Sequence, residues 1–145
     1  MIRIRSINIE EDVDAFWGWF EMIVKMSIEN KFYGKPMVCM LLMRTVLHNK
    51  IYAVFDDSTM IAYALCDVWG DTNNIMIAFM LVDSAFRKQG IGDKLLNHIT
   101  ECHPDGDIFT ETNTAESLRF FNHVNFKVAK QQRKGSKFLR MQLCK

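Results

Sequence analysis

The sequence predicts an α/β fold, a mixed and mostly antiparallel sheet with helices on both of its faces. Three observations carry the prediction. Eight apolar residues, Ile75 to Val82, run without a break and stop at Asp83-Ser84, which marks a central strand buried on both faces. A short basic turn containing Gly90 and Gly92 follows, and then Leu95, Leu96 and Ile99 recur at helical spacing, so the unit reads strand, glycine turn, helix. Around it, apolar stretches of strand length alternate with helix-periodic ones, and two polar turns close hairpins.

The elements follow in order. Ile2, Ile4 and Ile7 begin a strand with Arg3 and Arg5 on its other face. Asn8, with Glu11 three residues on, is the expected cap of a first helix. Val13, Phe16, Trp17, Phe20 and Val24 share one face of that helix and are assigned to the core. Trp19 and Met22 then point elsewhere, lining a groove or packing a neighbouring helix. Lys31 to Lys35 read as a loop, and Pro36 starts a second helix reaching about His48. Its Met37, Met40 and Met43 suit either core filling or an adaptable apolar surface. Ile51 to Phe55 and Met60 to Val68 form a hairpin around Asp56-Asp57-Ser58, and Gly70 to Asn74 turn the chain into the central strand. The next helix ends near Cys102-His103-Pro104. Asp105-Gly106 make a turn, Ile108 to Thr112 a strand, and Ala115 to Val124 the last helix. Phe126 to Lys130 and Phe138 to Leu143 close the chain as a hairpin around Lys134-Gly135-Ser136.

One domain, residues 1–145, suffices for a chain of this length, and no repeat or low-complexity linker divides it. The N-terminus lacks the long apolar stretch of a signal peptide, and no apolar run approaches a membrane span, so a cytoplasmic protein without membrane contact is expected. Cys39, Cys66, Cys102 and Cys144 form no C-x-x-C pair; they are expected to be buried or half-buried free thiols. His98 and Cys102 are a metal half-site in spacing only, so no metal is assigned. The charge is uneven: residues 1–116 sum to −7 and residues 117–145 to +8, with no acid in the latter. Such a basic block suits nucleic acid, an acidic partner or phosphate groups, or is the solvated face of a hairpin. Beside Lys130, Arg133, Lys134 and Lys137 the one aromatic is Phe138, so base stacking is not suggested. The exposed edge of the closing hairpin is a possible homodimer surface.

The turn Arg87-Lys88-Gln89-Gly90-Ile91-Gly92 is built to hold phosphate. Glycines allow a tight turn and close approach, first-turn helix amides lack internal partners, and the helix dipole favours an anion there. A dinucleotide fingerprint would need glycine where Leu95 stands, and a P-loop would need G-K-[ST]. What fits is R-x-x-G-x-G, read as Arg87, Gly90 and Gly92, with Val82 five residues upstream of the arginine. This resembles the acyl-CoA signature of the GNAT superfamily of N-acetyltransferases. Ser117-Leu118-Arg119-Phe120-Phe121-Asn122-His123-Val124-Asn125-Phe126 resembles the second signature of that superfamily, S/A-x-x-x-Y-x-x-x-G-F.

The resemblance implies acetyl-CoA as co-substrate and direct transfer of its acetyl group to an amine of a small molecule or protein. It places the pyrophosphate on Arg87, Lys88, Gln89, Gly90, Ile91 and Gly92 and sets the backbone of Leu81 and Val82 along the pantetheine arm, the Val82 amide polarising the thioester carbonyl. Asn113 would bond the same arm or cap a helix, and Ser117 and Phe120 would approach from the last helix. Two positions depart from the pattern. Phe121 stands where a tyrosine general acid is frequent, and Met76 where a glutamate base is common. The catalytic residues are therefore left open, with Glu111 and Asp67 as substitute bases and His48 and His123 as weaker ones. The alternative function is an acyl-CoA-binding module with little catalysis, acting through a protein or nucleic acid on the basic hairpin.

Overall fold

The computed structural model describes residues 1–8, 11–29, 50–69 and 72–145. Seven strands, β1 (Ile2–Ile7), β2 (Lys50–Asp56), β3 (Thr59–Val68), β4 (Ile75–Val82), β5 (Ile108–Thr112), β6 (Phe126–Val128) and β7 (Leu139–Leu143), form one sheet in the order β1-β2-β3-β4-β5-β7-β6. All neighbours are antiparallel except β4 and β5, which run parallel. Helix α1 (Val13–Glu29) covers one face, and α2 (Ile91–Cys102) and α3 (Ala115–His123) cover the other. The mixed, mostly antiparallel sheet with helices on both faces is as the sequence predicts.

Alternation explains the two cores. On β3, Ala62, Ala64 and Cys66 face α2 with Leu95 and Ile99, while Tyr63 and Leu65 face α1. Burial raises the Cys66 thiol to about 12. Cys102 and Cys144 are exposed, contrary to the expectation of buried thiols, because they end α2 and follow β7.

The buried face of α1 differs from the predicted one. Ala15, Trp19, Met22 and Ile23 are buried, whereas Val13 and Trp17 are 62% and 55% exposed and Val24 is also exposed. The helix is apolar on nearly every side, so two stripes satisfy the same spacing. The stripe that wins flanks Gly18, where a Cβ would come within 3.2 Å of Met60 Cβ, and this small residue brings the helix close to the β2–β3 hairpin. Trp19 thus lies edge-on to Tyr63, ring centroids 6.4 Å apart, rather than lining a groove. The cap also differs: Asp12 Oδ1 accepts the Ala15 amide at 2.9 Å, while the Asn8 carbonyl accepts the amides of Glu11 and Asp12 in the preceding turn. The predicted second helix with Met37, Met40 and Met43, the loop before it, Cys39 and His48 lie outside the described residues.

The central strand is not buried along its whole length. Ile75 to Ile77 are buried, but Ala78, Phe79, Met80 and Val82 are half-buried. Only Ile75, Met76 and Ile77 pair with β5, opposite Ile108, Phe109 and Thr110. A register shift at Leu65/Cys66 leaves Ala78 as an extra residue on β4, and beyond it β4 is paired on its β3 side alone. The two parallel strands therefore fork. In the closing hairpin β7 lies between β5 and β6. That pairing is shorter than predicted because the Gln132 side chain donates to the carbonyls of Ala129 and Arg140 and accepts the Arg140 amide beyond Val128.

Candidate active site

The fork exposes backbone. The Asp83 amide donates to the Ile61 carbonyl at 2.8 Å, so Asp83 and, by alternation, Leu81 direct their backbone polar groups toward β3. Val82 and Met80 direct theirs away, into the fork. The Arg87 side chain confirms this direction, its Nε donating to the Val82 carbonyl at 3.3 Å. Leu81, expected to present its backbone together with Val82, instead faces β3; Met80 holds the second outward position.

The loop after β4 is tied at both ends. Asp83 Oδ1 accepts the Ala85 amide at 2.9 Å, starting a single 3-10 turn, Ser84–Phe86, and Lys25 Nζ on α1 lies 3.0 and 3.1 Å from its two carboxylate oxygens. Lys88 and Gly90 both take positive φ, +62° and +76°, and Gly90 precedes α2 without a side-chain cap. That reversal aims the first amides of α2 outward, where no intrahelical acceptor exists for them. Gly92 meets the ring of Phe120 on α3, to which a Cβ would come within 3.0 Å.

These elements enclose a cleft of about 620 Å³. Of the residues singled out from sequence, Leu81, Val82, Arg87, Lys88, Gly90, Ile91, Gly92, Ser117 and Phe120 line it. Gln89 and Asn113 do not. The Gln89 amide donates back to the Ala85 carbonyl at 3.3 Å, and Asn113 is exposed after β5. Met80, Phe86, Asp93, Thr114 and Glu116 complete the wall and were missed, and His123, singled out only as a weaker base, lines it too. Thr114 and Ser117 at cap spacing were a readable signal: the Thr114 hydroxyl accepts the Ser117 amide at 3.1 Å. The Ser117 hydroxyl in turn meets those of Thr112 and Thr114. Glu116 lies 3.8 Å from Arg87 across the cleft mouth, and His123 lies 3.7 Å from Asp93.

Neither Phe121 nor Met76 lines the cleft. Both are 7% exposed, and the Phe121 ring packs edge-on against Phe120 and Phe126. Glu111 is ion-paired to Arg133 at 2.8 Å and to Arg140 at 3.4 Å. Cys102 Sγ and His98 Nε2 lie 3.6 Å apart, and no group of three metal-binding side chains occurs among the described residues. No described helix is long and apolar enough to cross a membrane.

A family model described as the acetyltransferase (GNAT) domain matches residues 48–128, more than half of the chain. The chain belongs to the GNAT family. Solved GNAT structures share the fold over more than nine-tenths of its length. PaiA N-acetyltransferase of Thermoplasma acidophilum, in complex with coenzyme A, is 16% identical with a TM-score of 0.70, covering 99% of this chain and 98% of that one. The ribosomal-protein-S18-alanine N-acetyltransferase of Escherichia coli is 14% identical with a TM-score of 0.73, covering 99% and 93%. Aminoglycoside acetyltransferase meta-AAC0020, from an uncultured soil metagenomic sample and in complex with sisomicin, is 16% identical with a TM-score of 0.68, covering 93% of each chain. No curated protein matches the chain in sequence. Membership in GNAT supports acetyl transfer dependent on an acyl-CoA.

Proposed function

We propose that this GNAT protein takes acetyl-CoA into the 620 Å³ cleft and transfers the acetyl group to the primary amine of a small molecule or protein. The observation that carries the proposal is the fork: β4 leaves the outward backbone of Val82 and Met80 without a strand partner beside a glycine-turned, basic helix N-terminus. A pantetheine arm has amides that can complete such an edge, and a pyrophosphate suits the first amides of α2 with Arg87 and Lys88. Acetyl-CoA supplies an activated acyl carbonyl: the amine forms a C–N bond to it, the C–S bond breaks, the amine gives up one proton and the thiolate takes one.

The residues divide that work. The Val82 amide is the donor for the developing oxyanion. Arg87 and Lys88 supply positive charge to the phosphates. Phe120, packed over Gly92, and Phe86 provide apolar wall. Phe121 gives no proton, so the thiolate leaves unassisted by a tyrosine, as a group of pKa about 8.5 can. Amine deprotonation falls to water or to a carboxylate of the acceptor face.

Isothermal titration of acetyl-CoA tests the reading. Saturable binding to the wild type, lost in Gly90→Val and Gly92→Val, is expected; no heat from the wild type would overturn it. Release of free CoA with an amine panel then tests transfer itself. A second reading, an acyl-CoA-binding module with little catalysis, is favoured by the apolar side chains at Phe121 and Met76. Binding without CoA release across the panel would select it. Its basic-tail partner is less favoured, because Arg140 is held against Glu111 at 17% exposure and Lys145 Nζ donates to the carbonyls of His103, Pro104 and Gly106.

A further inference from the structure

The fork has a second side. Along β5, Thr112 turns toward α3, where its hydroxyl meets Ser117, and Thr110 is buried with it. Phe109 and Glu111 therefore project to the opposite face. Glu111 is the first β5 residue beyond the last pair with β4, so its side chain stands where the strands separate. Across the β5–β7 ladder its partner is Arg140.

Two guanidinium groups converge on one oxygen there. Arg133 Nε donates to Glu111 Oε2 at 2.8 Å, and Arg140 Nη2 lies 3.4 Å from the same atom. The Arg140 guanidinium also sits 5.1 Å from the centroid of the Trp69 ring, which stacks on Phe109 with centroids 5.1 Å apart. Among the described residues donors exceed acceptors in this cluster: Arg140 Nε is buried without a partner, and two positive charges face one negative one. Arg140 is held nearly buried at 17% exposure, but the Arg133 side chain is 52% exposed, so a guest can reach it beside its bonds to Glu111 and, at 3.4 Å, to Ser136 Oγ.

We propose that the amine acceptor carries a carboxylate as well, bound by Arg133 beside the Trp69 ring while the amine enters the fork. This deepens the acetyl-transfer reading and rests on it. Glu111 is then a positioning residue that aims both guanidinium groups. Arginine is the side chain suited to a carboxylate because its planar fork can give two parallel charge-assisted bonds. An apolar part of the same acceptor would lie on the indole face.

Matched pairs test the class: L-phenylalanine against phenethylamine, and L-leucine against isoamylamine. Two readouts are followed, CoA release and the change in tryptophan fluorescence, the latter with and without acetyl-CoA and with Trp69→Phe as the control that removes it. The carboxylate-bearing member is expected to half-saturate at about tenfold lower concentration. Arg133→Gln should bring the pair to within about twofold while calorimetric binding of acetyl-CoA is unchanged, and Arg133→Lys should restore part of the difference. Equal response within each pair, preference for the carboxylate-free amine, discrimination that survives Arg133→Gln, or no fluorescence response to any member would each overturn the proposal. Absence of acetyl-CoA binding would overturn the acetyl-transfer reading instead, and the cofactor-free fluorescence arm would still decide this one.

Discussion

Thr110 donates its hydroxyl to the carbonyl oxygen of Ile77 at 3.1 Å, inside the last residue pair that joins β4 to β5. The threonine thereby holds the point where the two strands part. Thr110→Val keeps the β-branched shape and removes the donor, leaving a buried carbonyl short of one bond. A loss of about 1–2 kcal/mol is expected in urea unfolding, most of it recovered by Thr110→Ser.

Gly90 and Gly92 fail for different reasons when substituted. At Gly90, φ is +76° and nothing lies within 4 Å of a new Cβ, so Gly90→Ala costs about 1 kcal/mol in backbone strain alone. At Gly92 a Cβ meets the Phe120 ring at 3.0 Å. A second substitution, Phe120→Leu, should therefore recover stability in Gly92→Ala and do nothing for Gly90→Ala, as thermal melting of the four variants would show.

Asp83 joins the phosphate loop to α1 through Ala85 and Lys25. Asp83→Ala removes both bonds from a residue 8% exposed and should cost about 1.5–3 kcal/mol. Asp83→Asn keeps an acceptor for the Ala85 amide and loses the charge facing Lys25, so its melting temperature should fall between those of the wild type and the alanine variant.

His103 sets a pH dependence. Burial, and then the charges of Lys50 and Lys145, hold its pKa below the ordinary 6.5, and the Tyr52 hydroxyl lies 2.7 Å from its Nε2. Between the folded and ordinary values the unfolded chain binds the extra proton, so stability rises with pH there. The contribution is complete above pH 6.5 and shrinks as the solution is acidified below it. His103→Gln should flatten that part of the profile, measured as the difference in urea midpoint between variant and wild type from pH 7.5 to pH 5.5.

Strands and turns were legible because their period and punctuation are local: Asp56 to Ser58 between alternating segments could be little else than a hairpin turn. The glycine turn was legible for the same reason, since its spacing carries its geometry. The burial of α1 was not, because Trp17 and Trp19 are equally apolar and the choice between them is made by the approach of Gly18 to Met60, which is tertiary. The fork was hidden as well. Ile75 to Val82 read as one uniform apolar run, yet its two halves differ in partner because β5 is only five residues long and diverges after Thr110. Phe86 and Glu116 were missed in the cleft because they come from two elements, the 3-10 turn and α3, whose meeting no local pattern records.

The brevity of the β4–β5 seam has a mechanical consequence. Among the described residues, a ladder of three residue pairs joins strands β1 to β4 to the group β5, β7 and β6 within the sheet, with the helices bridging outside it. Such a seam should yield under tension ahead of the six-pair β1–β2 ladder at the rim. A guest lodged in the gap would act as a keystone, bearing load between the two halves and slowing amide exchange in both at once, including strands it never touches.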